Sequence, residues 1–188
     1  VHASDAAAVL AELQESCHLP VATTTMGKGA VDDAHPLTVG VIGYYMATYS
    51  ASKFMRPLVD EADVIIAVGN RTNQNGTDSW QLLPKGARLI HIDIDPQEIG
   101  RNHEALRLVG DARATLSALQ IALQSHDLSR RADVRSGIEA RITAAKADYA
   151  KEVSPVATSS AKPVRPERMM ADLDKLITPE HILVADAS

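Results

Sequence analysis

In an open sheet of parallel strands, ligands bind in the crevice outside the carboxyl ends of the strands, so chemistry is sought just after each short apolar run. Five such places occur: residues 24–29 (TTMGKG), 43–45 (GYY), 69–75 (GNRTNQN), 93–99 (DIDPQEI) and Asp111. Gly43 precedes a predicted helix start and Gly69 ends an apolar run; both allow close approach of the backbone to a ligand, and helix N-termini attract phosphate. Arg71 carries a guanidinium able to form a bidentate pair with a phosphate. Asp93 stands where an acidic side chain accepts from ribose hydroxyls. Together these residues describe a nucleotide-sized crevice. Ordinary structural roles compete with that reading at each position. No G-x-G-x-x-G occurs, and Met26-Gly27-Lys28-Gly29 lacks the Walker spacing, which leaves Lys28 as a solvated loop charge. Asp93 and Asp95 also suit caps of the turn into Pro96, and Asp111 suits a helix N-cap. His91, set between Ile90 and Ile92, reads as a structural histidine, and Cys17 as a small buried hydrophobe. No nucleophile, base and orienter can be assembled from spacing, and no Cys/His cluster has the spacing of a zinc site.

The elements that would position these residues are those of an α/β protein. The chain has 188 residues, 45% of them hydrophobic but only 3% aromatic, so its core is built from Ala, Val, Ile and Leu. Helices packed closely on a Val/Ile-rich sheet suit that composition, which also excludes intrinsic disorder. The net charge of −5 and the absence of any Lys/Arg run beyond Arg130-Arg131 exclude a nucleic-acid footprint. No apolar run approaches the roughly 20 residues of a membrane span. A single cysteine cannot form an internal disulfide, so a reducing, cytoplasmic setting is expected.

The pattern predicts a helix over residues 4–16 capped by Ser4, a strand over 20–24, and a helix over 44–53 opening after Gly43. Pro57 is expected to push Arg56 out of the helical region and to suit the first turn of a short helix. Three apolar runs, at 62–69, 88–93 and 106–109, read as strands of a parallel sheet, the first in the manner of a strand buried on both faces. Asp111 begins a helix, and a long amphipathic helix follows from Leu128 to about Val153, with Val134, Ile138, Ile142, Ala145 and Tyr149 in its apolar stripe. The Ser/Pro-rich residues 154–166 read as an interdomain linker, Pro166 opens a last helix, and HILVADAS reads as a strand. The expected division is a nucleotide-binding-like domain over 1–127, a helix and linker over 128–165, and the start of another domain over 166–188.

The ordered segments PVATTTMGKGAVDDAHPLTVGVIG, EADVIIAVGNR, ARLIHIDIDPQEIGRN and RLVGDARATLSAL carry a resemblance from about residue 5 to residue 125. Together they resemble the central domain of thiamine diphosphate-dependent enzymes of the acetolactate synthase and 2-oxo acid decarboxylase group, HIDIDP-x-EIG-x-N being quite specific. The resemblance implies a Rossmann-like, mostly parallel sheet with helices on both faces, which holds FAD in acetolactate synthases, ADP in some relatives and nothing in others. Carried over by position, the cofactor-binding residues fall on Thr25, Met26, Gly43, Tyr44, Tyr45, Gly69, Arg71, Asp93, Ile94 and Asp111. Two departures stand out. Where acetolactate synthases read R-F-D-D-R, Arg71 is followed by Thr72-Asn73-Gln74-Asn75, and a Met-His pair is replaced by Tyr44-Tyr45.

The resemblance also implies a fragment of a longer enzyme that makes or breaks a C–C bond next to a 2-oxo acid carbonyl. That parent is expected to bind thiamine diphosphate and Mg²⁺ through flanking pyrimidine- and pyrophosphate-binding domains, to form a homodimer or homotetramer, and to contact neither nucleic acid nor membrane. The fragment alone is expected to be inactive, with no catalytic or metal-binding residue of its own. The family's first strand lies inside the sheet and is expected to be missing here, with the segment from Ile182 to Ala185 hypothesised to occupy its place, either in its own chain or swapped between two chains. A free-standing NAD/ADP-binding module and a structural spacer are the other readings.

Overall fold

The computed structural model describes residues 1–48, 50–178 and 180–184. The chain divides into two compact units, Val1–Lys146 and Ala147–Ser188. The first unit holds five parallel strands in two sheets. β1 (Val21–Thr23) pairs with β2 (Thr38–Val41), while β3 (Val64–Val68), β4 (Arg88–Asp93) and β5 (Leu106–Val109) form a sheet in that order. All the pairings are parallel, Ile65 opposite Leu89 and Ile90 opposite Leu106. This is the α/β architecture expected, with its apolar runs in place.

Burial differs along those runs. In β4, Leu89, His91 and Ile92 are buried, whereas β3 is half-buried and every residue of β5 is exposed. The reading of the 62–69 run as a strand buried on both faces is therefore corrected. β4 is the central strand of its sheet and is flanked on both edges; β3 and β5 are the outer strands.

Helix α1 (Ala7–Ser16) and helix α3 (Ala112–Leu123) cover one face of the larger sheet. Ala6, Val9 and Leu13 meet Ile92, Ala112 and Leu116 in one core cluster, with Ile66 and Val68 packed against it. α3 starts where expected, its first turn held by the Asp111 carboxylate, which accepts from the Ala114 N–H at 3.0 Å. Ser4 does not cap α1, because residues 2–4 form a 3₁₀ turn whose end reverses through Asp5 at φ 47°. Ala6 takes the N-cap position without a side-chain bond, and its complete burial stabilises the helix start instead.

A second cluster joins Val39, Met46, Met55 and Leu82 to Ile142 and Ala145 of α4 (Ser129–Ala157). Val134 belongs to the predicted stripe of α4 but is 52% exposed. The helix predicted over 44–53 is not formed: a 3₁₀ turn spans Gly43–Met46, another spans Lys53–Met55, and Tyr49 lies outside the described residues. Helix α2 (Arg56–Asp60) follows at once, with Pro57 in its first turn as expected. Arg56 nevertheless adopts helical angles, φ −54° and ψ −44°. Its guanidinium bonds Asp60, Asp78 and the Gln81 carbonyl, and these three bonds outweigh the local preference of a residue before proline.

In the second unit α4 continues past Ser154 and Pro155 to Ala157, so the helix runs into residues expected to be irregular. Proline lacks the N–H of its own helical bond, but Thr158 closes the helix end by donating its N–H and its hydroxyl to the Ser154 carbonyl. Helix α5 (Pro166–Asp174) opens on its proline as expected. Ile182, Leu183 and Val184 form no strand and are exposed, and residues 185–188, with Ala185 of the hypothesised segment, lie outside the described residues.

Ion pairs tie α4 to the end of α1. Arg135 donates to Glu15 at 2.8 Å, to Glu139 at 2.7 Å and to the His18 Nδ1 at 3.1 Å, while Arg131 donates to the Cys17 and His18 carbonyls. The bond from Arg135, and next the contact with His35, hold the Glu15 carboxyl down at about 2, against an ordinary 4.5. A carboxyl depressed in the folded state contributes stability above its unfolded value and loses it as it protonates. The urea midpoint is therefore expected to fall between about pH 4.5 and about pH 2, with Glu15→Gln flattening that slope.

Candidate functional site

The heads of β1, β2 and β3 converge on the turn at residues 73–77. After β1 the Thr24 hydroxyl accepts from the Gly27 N–H at 3.1 Å, which folds Thr25 and Met26 into a 3₁₀ turn and leaves Met26 87% exposed. After β2 comes Gly43, at φ 82°, a left-handed conformation that disfavours any side chain. A Cβ on Gly43 would lie 2.0 Å from the Asn75 carbonyl oxygen and 2.9 Å from the Gly76 Cα. What approaches this glycine closely is the chain's own backbone. Tyr44 and Tyr45 follow, both partly exposed, and the Tyr44 hydroxyl reaches the Ser79 Oγ at 3.2 Å.

After β3 the amides are engaged locally. The Gly69 N–H donates to the Ile92 carbonyl at 2.8 Å. Asn70 Oδ1 accepts from the Thr72 N–H at 2.7 Å, Asn73 Oδ1 accepts from the Gly76 N–H at 2.9 Å, and the Thr77 hydroxyl donates to the Asn73 carbonyl at 2.7 Å. Thr72 is buried at φ 46°, a strained position for a β-branched residue. Asn102, which ends the HIDIDP-x-EIG-x-N motif, pins it by donating to the Arg71 and Thr72 carbonyls at 3.2 and 3.0 Å. The motif thus reaches across from the end of β4 to hold the loop after β3, a role that the linear pattern did not reveal.

Asp93, Ile94 and Asp111 form a second group, at the heads of β4 and β5. Asp93 Oδ1 accepts from the Asp95 N–H at 3.0 Å, the turn-capping role weighed for it, and Ile94 is 71% exposed. The Ala114 N–H, then Ser4, hold the Asp111 carboxyl below its usual range, as suits an N-cap at a helix start. His91 is fully buried, and its Nδ1 accepts from the Gly100 N–H at 3.1 Å, while its Nε2 has no hydrogen-bond partner among the described residues. Burial, and then the neighbouring His91, lower the pKa of His103.

Arg71 is exposed, and its guanidinium makes no hydrogen bond or ion pair among the described residues. Arg71→Ala is accordingly expected to change the melting temperature by no more than about 1–2 °C. A drop several times larger would show that Arg71 supports the fold.

Parallel strands with helices packed on the sheet, a glycine at the head of β3 and an aspartate at the end of β4 make a Rossmann-like module. Residues 1–119 match the family model described as thiamine pyrophosphate enzyme, central domain, and the chain belongs to that family. It is 35% identical to a probable acetolactate synthase large subunit from Methanocaldococcus jannaschii over 175 residues, 93% of this chain and 27% of that protein. An acetolactate synthase from Arthrospira platensis is 39% identical over 110 residues, 58% of this chain and 19% of the relative. A glyoxylate carboligase from Escherichia coli O157:H7 is 29% identical over 173 residues, 92% of this chain and 28% of the relative. The chain therefore spans about a quarter of the length of the relatives it matches most fully.

The residues present at Gly43 do not fit the diphosphate of FAD or ADP, because the turn at 73–77 fills the space beside that glycine and the N–H groups of Gly27, Gly69, Thr72 and Gly76 donate within the chain. Nor, among the described residues, do three His, Cys, Asp or Glu side chains gather to hold a metal ion. No step through thiamine diphosphate or Mg²⁺ is assigned to residues of this chain.

Proposed function

We propose that this chain is the central, non-catalytic module of a thiamine diphosphate-dependent enzyme that makes or breaks a C–C bond next to a 2-oxo acid carbonyl, with acetolactate synthase-like carboligation as the activity. The observation that supports this most is the likeness to an acetolactate synthase large subunit along nearly the whole chain, at 35% identity. Thiamine diphosphate, with Mg²⁺, supplies the carbanion chemistry when bound in the parent, and flanking domains hold both. The contribution of this chain is positional: its two core clusters make a rigid block between those domains. The parent is a cytoplasmic homodimer or homotetramer in this reading. A free-standing NAD- or ADP-binding module is not favoured, since the relatives are carboligating enzymes of greater length.

The test compares the isolated chain with the full-length parent, each given pyruvate, thiamine diphosphate and Mg²⁺. The parent is expected to release CO₂ and form acetolactate. The isolated chain is expected to do neither, and to show no saturable thiamine diphosphate binding by calorimetry. Pyruvate turnover by the isolated chain, or none by the parent, would overturn the proposal.

A further inference from the structure

We infer that the turn at residues 73–77 stands where a nucleotide diphosphate would lie, so that the crevice of this chain takes neither FAD nor ADP. The inference rests on the assignment of the chain to the central-domain family and concerns the one ligand site such a module would offer. A diphosphate at a strand head needs two things: a glycine face left open by the missing Cβ, and free N–H donors pointing at it.

The first is missing at Gly43, and part of the second is taken up within the chain. The open face of Gly43 is closed by the Asn75 carbonyl oxygen and the Gly76 Cα. The N–H groups of Gly27, Gly69, Thr72 and Gly76 already donate to Thr24, Ile92, Asn70 and Asn73. Lys28 is paired with Asp33, which leaves Arg71, among the described residues, as the cation in these loops without a partner. A single exposed guanidinium cannot replace a cradle of donors for two phosphates. The amides that distinguish this loop explain how it closes: Asn70 and Asn73 act as local caps, Asn73 accepting from the Gly76 N–H.

Both the isolated chain and the full-length parent are titrated with FAD, followed by flavin fluorescence, and with ADP, followed by melting temperature. The expected result is no saturable quenching, no thermal shift and no flavin absorbance in the purified parent. Stoichiometric flavin in the parent, or saturable binding of either nucleotide to parent or chain, would overturn the inference. Asn73→Ala adds a measurement that does not depend on a negative result: removing the acceptor for the Gly76 N–H is expected to lower the urea midpoint without nucleotide. An unchanged midpoint would mean that the turn is not held as described, and would also overturn the inference. Flavin in a parent that still turns over pyruvate defeats this inference alone, whereas a parent without thiamine diphosphate-dependent turnover defeats the functional proposal alone.

Discussion

Gly43→Ala is expected to destabilise the chain in the absence of any ligand. At φ 82° the backbone of a non-glycine residue is strained, and the added methyl would sit 2.0 Å from the Asn75 carbonyl oxygen. Left-handed strain alone costs about 1–3 kcal/mol. Relieving the clash requires the turn at 73–77 to move, and that turn is tied by Asn73, Thr77 and the Arg56–Asp78 pair. The loss should therefore exceed the strain figure and appear as a lower urea midpoint with an unchanged slope. A midpoint equal to that of the wild type would mean that the two turns do not touch, and the closed crevice would have to be abandoned.

Ile92→Ala is the second large effect. Ile92 is fully buried in the central strand and meets residues of α1 and α3, so truncation leaves a cavity that rigid neighbours on both helices cannot fill. Substitutions of this kind cost about 2–5 kcal/mol, a large share of the roughly 5–15 kcal/mol by which folded proteins are stable. For a chain of this length each kcal/mol lowers the melting temperature by about 2–4 °C. Leu108→Ala, on the outer strand at 38% exposure, provides the contrast and should cost far less. Equal losses at the two positions would contradict the assignment of β4 to the centre of its sheet.

The elements of this fold that were legible in the sequence are those decided by interactions over a few residues. Apolar runs ended by glycine or aspartate became strands, Asp111 capped the helix that follows it, and Pro57 and Pro166 stand in first turns, because capping bonds and the fixed φ of proline act within one turn of chain. The burial of His91 was also readable, since it stands within an apolar run, although its Nε2 is left without a partner among the described residues. The family motif identified the module without revealing what its last residue does.

Tertiary structure decided everything that depends on partners distant in the chain. The three apolar runs look alike in sequence, yet only β4 is buried, because strand order and not composition determines which strand is central. Arg56 entered a helix against its local preference because Asp78 and Gln81 supply bonds more than twenty residues away. Gly43 and Gly69 looked like phosphate cradles because a glycine in sequence announces only that something approaches closely. In this chain what approaches Gly43 is the backbone of Asn75 and Gly76, brought there by the packing of one loop on another.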